Sequence, residues 1–287
     1  MYELSQYAFV AAFAALAAAL VLYLVNVLGA RGLQALSANG GTVSMPTFGP
    51  ILDTAGRYGT ILTVNAFAFL TASLVFRAIA AGHGPFSNMY EFSLAFGWGA
   101  LALFLYFQVQ YRLRTLALMV LPVALGLLAY ATTVPSEITP LVPALQNDLL
   151  LTVHVAVAII AYGAFAIAFG TAVLFLIQRR DSVRWLPKKA LLDEIGYKAV
   201  MVGFPMMALV IILGALWADI AWGTYWSWDP KETASLVTWL LYGAYLHARV
   251  LRGWRGERSA ALLIIGFGAT LFTYYGNLFF GGLHSYG

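Results

Sequence analysis

Cysteine is absent from this chain of 287 residues, and charged residues make up only 10% of it. Without thiols the chain has no disulfide framework, no thiolate metal site and no thiol redox chemistry of its own. A soluble domain usually carries about 25% charged residues, whereas 62% of the residues here are apolar. This balance excludes a soluble globular protein and a disordered chain.

Eight apolar stretches are long enough to cross a bilayer, which takes about 20 helical residues. They lie at roughly 6–29, 58–80, 89–109, 115–133, 149–177, 196–220, 233–250 and 259–280. We predict an all-α polytopic membrane protein with about eight transmembrane helices and a single membrane domain, 1–287. The first stretch lacks a basic leading segment and is too long for a signal-peptide core. We therefore expect it to be a retained transmembrane span and not a cleaved signal peptide. The longest predicted loops are 30–57, 134–148 and 178–195.

The 16 basic residues are unevenly distributed among the joins, the loops that connect consecutive predicted spans. All except Arg77 and Lys231 lie in or beside the joins after spans one, three, five and seven. Because basic loops stay on the cytoplasmic side, both termini are predicted on the outer, periplasmic side. The Ala-rich spans and the absence of a transit segment favour a bacterial plasma membrane. This grouping of charge and the net charge of +4 do not indicate a nucleic-acid partner.

The segment 221–232, which we call the aromatic segment, reads AWGTYWSWDPKE. Its four aromatic rings are those of Trp222, Tyr225, Trp226 and Trp228. One interpretation is an interfacial aromatic belt. However, Gly223 and Pro230 interrupt the helix, and Asp229 with Glu232 predicts an N-cap and a capping box for the next helix. A rigid, flat aromatic surface suits a large planar apolar ligand.

Histidine occurs only four times, and a lone histidine is more often packing than a ligand. His154 is expected roughly 8 Å below the outer surface, and His284 follows the last span on the same side. Two imidazoles beside an aromatic surface are suited to hold one haem iron from both faces. Met206 and Met207 are interpreted as packing residues.

The remaining histidines have no evident partner in the sequence. His247 is expected roughly 21 Å from the outer surface, where it either hydrogen-bonds a neighbouring side chain or forms half of an axial pair completed by another polypeptide. His83, in the loop GHGPFSNMYE, is interpreted as a turn residue. Arg77 and Lys231 are expected to be solvated interfacial charges, with pairing to a haem propionate as the alternative.

The stretch WGTYWSWDPKETASLVTWLLYGAYLHAR resembles the tryptophan-rich "WWD" signature of haem-handling proteins in cytochrome c maturation. Its continuation, together with GHGPFSNMYE and the terminal GGLHSYG, resembles the CcsA/ResC branch of System II more than CcmC and CcmF of System I. The resemblance runs from about residue 60 to the end.

The resemblance implies a holocytochrome c synthase (haem lyase) that is active only with a CcsB/Ccs1/ResB-type partner. It implies that haem b is moved across the bilayer and attached to the CXXCH motif of apocytochrome c. His154 and His284 match the two outer haem-ligating histidines, and His247 matches the membrane-embedded one, whose axial partner comes from the other subunit. The WWD platform matches Trp222, Trp226, Trp228 and Asp229.

Three alternatives remain open at this point. A dihaem cytochrome b commonly stacks two histidines on one helix, whereas each span here contributes at most one. A transporter usually carries ionisable residues deep in several spans or an inverted repeat, and neither is evident. A System I haem exporter or lyase subunit is the third alternative, and a copurifying CcmE-like chaperone would indicate it.

Overall fold

The computed structural model describes residues 1–38, 45–138, 148–178, 180–183, 185–276, 280 and 282–283. Within these residues the chain forms α-helices and one 3₁₀ turn, Arg114–Leu116, and no strand. The helices are α1 Tyr2–Ala38, α2 Met45–Ala81, α3 Met89–Tyr111, α4 Ala117–Ala131, α5 Asp148–Ile177, α6 Lys189–Trp222, α7 Pro230–Leu251 and α8 Glu257–Tyr275. Each predicted span overlaps one helix, so the all-α fold is confirmed.

Helices α1 to α6 are long and apolar enough to cross a membrane, α4 together with its 3₁₀ turn. The polytopic prediction is therefore confirmed. Among the described residues, α7 and α8 do not reach the same length and hydropathy. Both nevertheless belong to the bundle, because α7 packs against α6 and α8, and α8 packs against α5. The orientation of the termini and the single-domain organisation stay predictions.

The predicted boundaries are wrong in three places. Helix α6 begins at Lys189, inside the predicted loop 178–195. Most of the predicted loop 30–57 is helical, because α1 continues to Ala38 and α2 begins at Met45. Each of these helices has 37 residues, about 55 Å of helix, against about 30 Å of hydrocarbon. Hydropathy marks only the lipid-matched part. Ahead of the predicted span of α2, the Asn26 side-chain amide donates to the Leu52 carbonyl oxygen at 2.7 Å. At the other end of the chain, α8 ends at Tyr275 rather than at 280.

One continuous apolar core contains buried residues of all eight helices. At its centre the rings of Phe165 and Tyr242 stack with centroids 3.6 Å apart. Helices α3 and α5 approach closely at Gly99 and Gly163, where neither residue has a side chain. A Cβ at Gly163 would lie only 2.9 Å from the Gly99 carbonyl oxygen. Small residues are common where membrane helices pack closely. Met207 is buried in this core and Met206 packs against it, which confirms their predicted packing role.

Candidate functional site

A cavity lies at the end of the bundle where α3, α5 and α7 begin and α6 and α8 end. It contains about 1000 Å³ of empty space, part of it open to the surroundings. Its lining includes Phe92, Phe96, Leu151, His154, Tyr162, Gly214, Trp217, Tyr225, Trp226, Lys231, Glu232 and Tyr274. We call it the outer pocket. A wide, mostly aromatic wall with a few polar groups is typical of sites for large apolar ligands.

His154 lines the outer pocket from the second turn of α5. Its ring lies against α6 at Gly214, where a Cβ would be 3.0 Å from the imidazole Cε1. The glycine thus leaves room for the imidazole between two helices. The structure therefore brings His154 together with part of the aromatic segment, as the sequence predicts.

The aromatic segment leaves helical geometry where the sequence predicts. Helix α6 ends at Trp222, and Gly223 adopts a left-handed φ of 75° while its N–H donates to the Asp219 carbonyl. This is a common way for glycine to end a helix. The next helix begins at Pro230.

The three tryptophans of the segment have different surroundings. Trp226 lines the outer pocket beside Tyr225. Trp222 packs edge-on against Trp217, with ring centroids 4.8 Å apart. Trp228 is 69% exposed and has a φ of 60°, a backbone conformation that costs about 1 kcal/mol or more for a bulky residue. Only one of the three rings therefore contributes to the pocket wall.

The predicted capping box at the start of α7 is confirmed. The Asp229 carboxylate accepts from the Lys231 N–H at 2.9 Å. The Glu232 carboxylate accepts from the N–H groups of Ser227 at 2.9 Å and Asp229 at 3.2 Å. Both acidic side chains are buried. Their hydrogen bonds fix the end of the aromatic segment onto α7.

Asp229 also contacts the end of the chain. The Leu283 N–H donates to Asp229 Oδ2 at 2.7 Å. His284 lies outside the described residues, whereas Leu283, directly before it, is described. The structure thus places residue 283 beside the aromatic segment.

The expectation that Arg77 is a solvated charge is wrong. Arg77 is completely buried, and its Nε lies 2.6 Å from the Glu91 carboxylate. The guanidinium also lies 4.7 Å from the centroid of the Tyr90 ring. Glu91 accepts further hydrogen bonds from the backbone and hydroxyl of Ser87. This ion pair fixes the start of α3, which forms one wall of the outer pocket.

The other two outer residues differ from Arg77. His83 Nδ1 lies 2.8 Å from the Gly84 carbonyl oxygen, which agrees with a role in the turn. Lys231, in the first turn of α7, lines the outer pocket, with its Nζ 5.8 Å from the centroid of the Phe92 ring. Burial lowers the pKa of Lys231 to about 8.

His247 lies far along α7 on an exposed face. This face, which we call the α7 stripe, consists of Val237, Leu240, Ala244, His247 and Leu251. The spacing of three or four residues puts them on one side of the helix. The His247 ring makes no hydrogen bond to any residue that the structure describes. One of its two predicted roles, a hydrogen bond to a neighbouring side chain, is therefore not found among these residues.

Sequence reasoning missed several pocket residues. Phe92, Phe96, Tyr162 and Tyr274 form aromatic walls, but within apolar spans they look like any core residue. Gly214 is one of 27 glycines, and only the helix crossing distinguishes it. Glu91 carries a signal, since an acidic residue at the start of an apolar span needs a partner.

Comparisons with known proteins agree with the resemblance. The family model for the Cytochrome C assembly protein matches residues 86–284. The cytochrome c biogenesis protein CcsA of Guillardia theta is 37% identical over 258 residues, covering 80% of this chain and 85% of that protein. CcsA of Chlamydomonas reinhardtii is 40% identical over 231 residues, covering 76% and 65%.

Among solved structures, the cytochrome c haem lyase CcmF matches with a TM-score of 0.69 and 17% sequence identity. The match covers 96% of this chain and 46% of that one. This chain therefore spans less than half the length of CcmF, and the likeness shows a shared fold. With the family model and the CcsA relatives, these findings establish that the chain belongs to the cytochrome c assembly protein family, in its CcsA group.

Proposed function

We propose that this chain is the haem-handling subunit of a System II cytochrome c synthase in a bacterial plasma membrane. With a CcsB/ResB-type partner it moves haem b, as substrate, to the outer pocket on the periplasmic side. There it presents the haem for attachment to the CXXCH motif of apocytochrome c. The names of the CcsA relatives and of the haem lyase CcmF support this proposal.

The observation that carries the proposal is the composition of the outer pocket. His154, Trp226 and Tyr225 line one cavity with apolar walls. Neutral imidazole is a good iron ligand, and aromatic walls suit a porphyrin plane. We assign His154 and His284 as the axial ligands. We assign Trp222, Trp226, Trp228 and Asp229 as the platform beside them.

The attachment chemistry needs little from the chain itself. Each cysteine thiol of the substrate adds across one haem vinyl group. The S–H bond and the vinyl π bond break while one S–C and one C–H bond form, so no group leaves. The enzyme supplies position, and holding thiols and vinyls in reach lowers the barrier. Ligation by two histidines sets the iron potential.

An inner haem site at His247 completes the proposed route. The imidazole lies on the exposed α7 stripe, where a second polypeptide can reach it. We propose that the partner subunit contributes the other axial ligand there. The synthase activity is then a property of the complex.

The test is an absorption spectrum of the chain purified with its partner. We expect the α and Soret bands of haem bound by two histidines. His154→Ala and His284→Ala are expected to insert normally but to abolish cytochrome c assembly, and added imidazole is expected to restore haem binding. His83→Ala is the matched control and is expected to keep the wild-type spectrum. Failure of imidazole to restore any binding would contradict the axial roles.

The likeness in fold to CcmF favours one alternative, a System I-type subunit. Copurification with a CcmE-like chaperone, and not with a CcsB-type subunit, would support that alternative.

A further inference from the structure

The Asp229 carboxylate joins two distant parts of the chain. Oδ1 accepts from the Lys231 N–H at the start of α7, at 2.9 Å. Oδ2 accepts from the Leu283 N–H, 54 residues further along, at 2.7 Å. The Asp229 side chain is only 6% exposed, so water competes little for either oxygen. We call the second contact the Asp229–Leu283 bridge.

The chain beside the bridge is fitted closely to Asp229. A Cβ at Gly282 would overlap the Asp229 carboxylate and would lie 3.1 Å from the Pro230 ring. A larger residue at position 282 would therefore push the two segments apart. The glycine permits the close approach on which the bridge depends.

The Asp229 backbone is held from the other side. Its N–H donates to Glu232 at 3.2 Å, and the same carboxylate oxygen of Glu232 accepts from the Ser227 N–H at 2.9 Å. The capping box therefore sets the orientation of Asp229 independently of residue 283. The carboxylate offers a preorganised acceptor to the returning chain.

We propose that Asp229 is a positioning residue, whose bridge to Leu283 anchors the chain directly before His284 beside the start of α7. Leu283 is joined directly to His284 in the sequence, and consecutive Cα atoms are about 3.8 Å apart. The anchored residue is therefore the nearest chain neighbour of the proposed ligand. The first turn of α7 itself lines the outer pocket through Lys231 and Glu232. This inference rests on the proposed axial role of His284. It gives Asp229, the Asp of the WWD signature, a role in positioning another part of the chain.

The bridge can be removed without removing the cap. In Asp229→Asn the remaining carbonyl oxygen still caps α7, since Asn is as good an N-cap as Asp. The amide NH₂ then faces the Leu283 N–H, which is also a donor, so the bridge is lost. Gly282→Ala breaks the same contact from the other side. Asp219→Asn and Gly276→Ala are the matched controls, because a Cβ at Gly276 would make only ordinary contacts, from 3.7 Å, with Phe272.

The first readout needs no haem. Hydrogen exchange of the purified complex is followed by mass spectrometry on the peptide that contains Leu283. We expect the Leu283 amide to exchange at least about 10-fold faster in Asp229→Asn and Gly282→Ala, as for loss of a hydrogen bond to a charged group. The peptide at the start of α7 should be unchanged in Asp229→Asn, and both controls should match the wild type.

The second readout is the spectrum of the haem-loaded complex. Both bridge variants should lose the bands of two-histidine ligation, as His284→Ala does, and imidazole should restore them. Unchanged exchange at Leu283 in Asp229→Asn would overturn the bridge. Faster exchange with an unchanged spectrum, while His284→Ala alters it, would overturn the positioning role and leave the proposed function intact. An unchanged spectrum in His284→Ala would overturn the axial role and the positioning role together.

Discussion

The two histidine regions of this protein are built in opposite ways. His154 lines a pocket to which five helices contribute, and Gly214 admits its ring against α6. His247 lies on the exposed α7 stripe. The difference indicates that the outer site is assembled largely within this chain. In the proposed route, the inner site takes its second ligand from another polypeptide.

Two ion pairs near opposite ends of the bundle differ in burial. At the outer end, Arg77 and Glu91 are both completely buried. At the opposite end, the side chains of Lys198 and Glu194 are about half exposed. A buried pair restricts its surroundings, whereas an exposed pair is screened by water. The buried Arg77–Glu91 pair therefore restricts the start of α3 beside the outer pocket, as the largely buried Arg249–Asp193 pair restricts α6 and α7 at the opposite end.

The largest expected difference between the two histidine regions comes from His247→Ala in the two-subunit complex. Because the substitution removes the proposed ligand at the inner site, copurifying haem should fall about 10-fold or more. Haem content is measured as the pyridine haemochrome, and His83→Ala serves as the control. Unchanged haem content and spectrum would contradict an inner site.

Breaking the Arg77–Glu91 and Lys198–Glu194 pairs tests the effect of their different burial. Arg77→Ala leaves the Glu91 carboxylate buried without its partner and should lower the free energy of unfolding by about 3–5 kcal/mol. Lys198→Ala should change it little, because that pair is exposed. Thermal or denaturant unfolding in detergent gives both values.

A double variant sharpens the same comparison. Arg77→Met with Glu91→Leu replaces both charges with apolar groups and should recover most of the stability. A double variant as unstable as Arg77→Ala would show that the charges themselves are required.

Gly214→Ala tests how closely the outer pocket fits His154. The new Cβ would lie 3.0 Å from the imidazole, so the ring must shift by a few tenths of an ångström. We expect haem retention at the outer pocket to fall about 3–10-fold, since misplaced ligating groups lose affinity steeply. Gly126→Ala is the matched control, because nothing lies within 4 Å of its Cβ position. Equal haem retention in the two variants would contradict a close fit.

The smallest expected effect is on pH dependence. Burial lowers the pKa of Lys231 to about 8, so its ammonium is charged below that pH and neutral above it. Asp229, Glu232 and His154 are the other ionisable groups nearby. A ligand carboxylate is anionic throughout, so haem affinity should fall about two- to threefold between about pH 7 and 9. Lys231→Arg should abolish this change. A wild-type affinity that is flat across the interval would contradict pairing of Lys231 with the ligand.

Apolar runs predicted all eight helices, because lipid requires about 20 apolar residues in each span. They missed the helical parts of 30–57, because hydropathy detects only the length of helix that matches the lipid. Arg77 was misassigned because its partner, Glu91, follows a turn and belongs to the next helix. The capping box at Asp229 was predictable, since its residues are close in sequence. Its bond to Leu283 was not, because it depends on how α8 returns the chain to α7.

Trp228 sets a limit on redesigning this protein for stability. With a backbone φ of 60° and a ring that is 69% exposed, it is the position where a design method that optimises folding energy would substitute glycine or asparagine. Such a variant would gain thermal tolerance and lose an indole held out toward whatever docks at that end. Screens that select only for yield or melting temperature would therefore favour a stable variant that lacks one indole of the proposed haem platform.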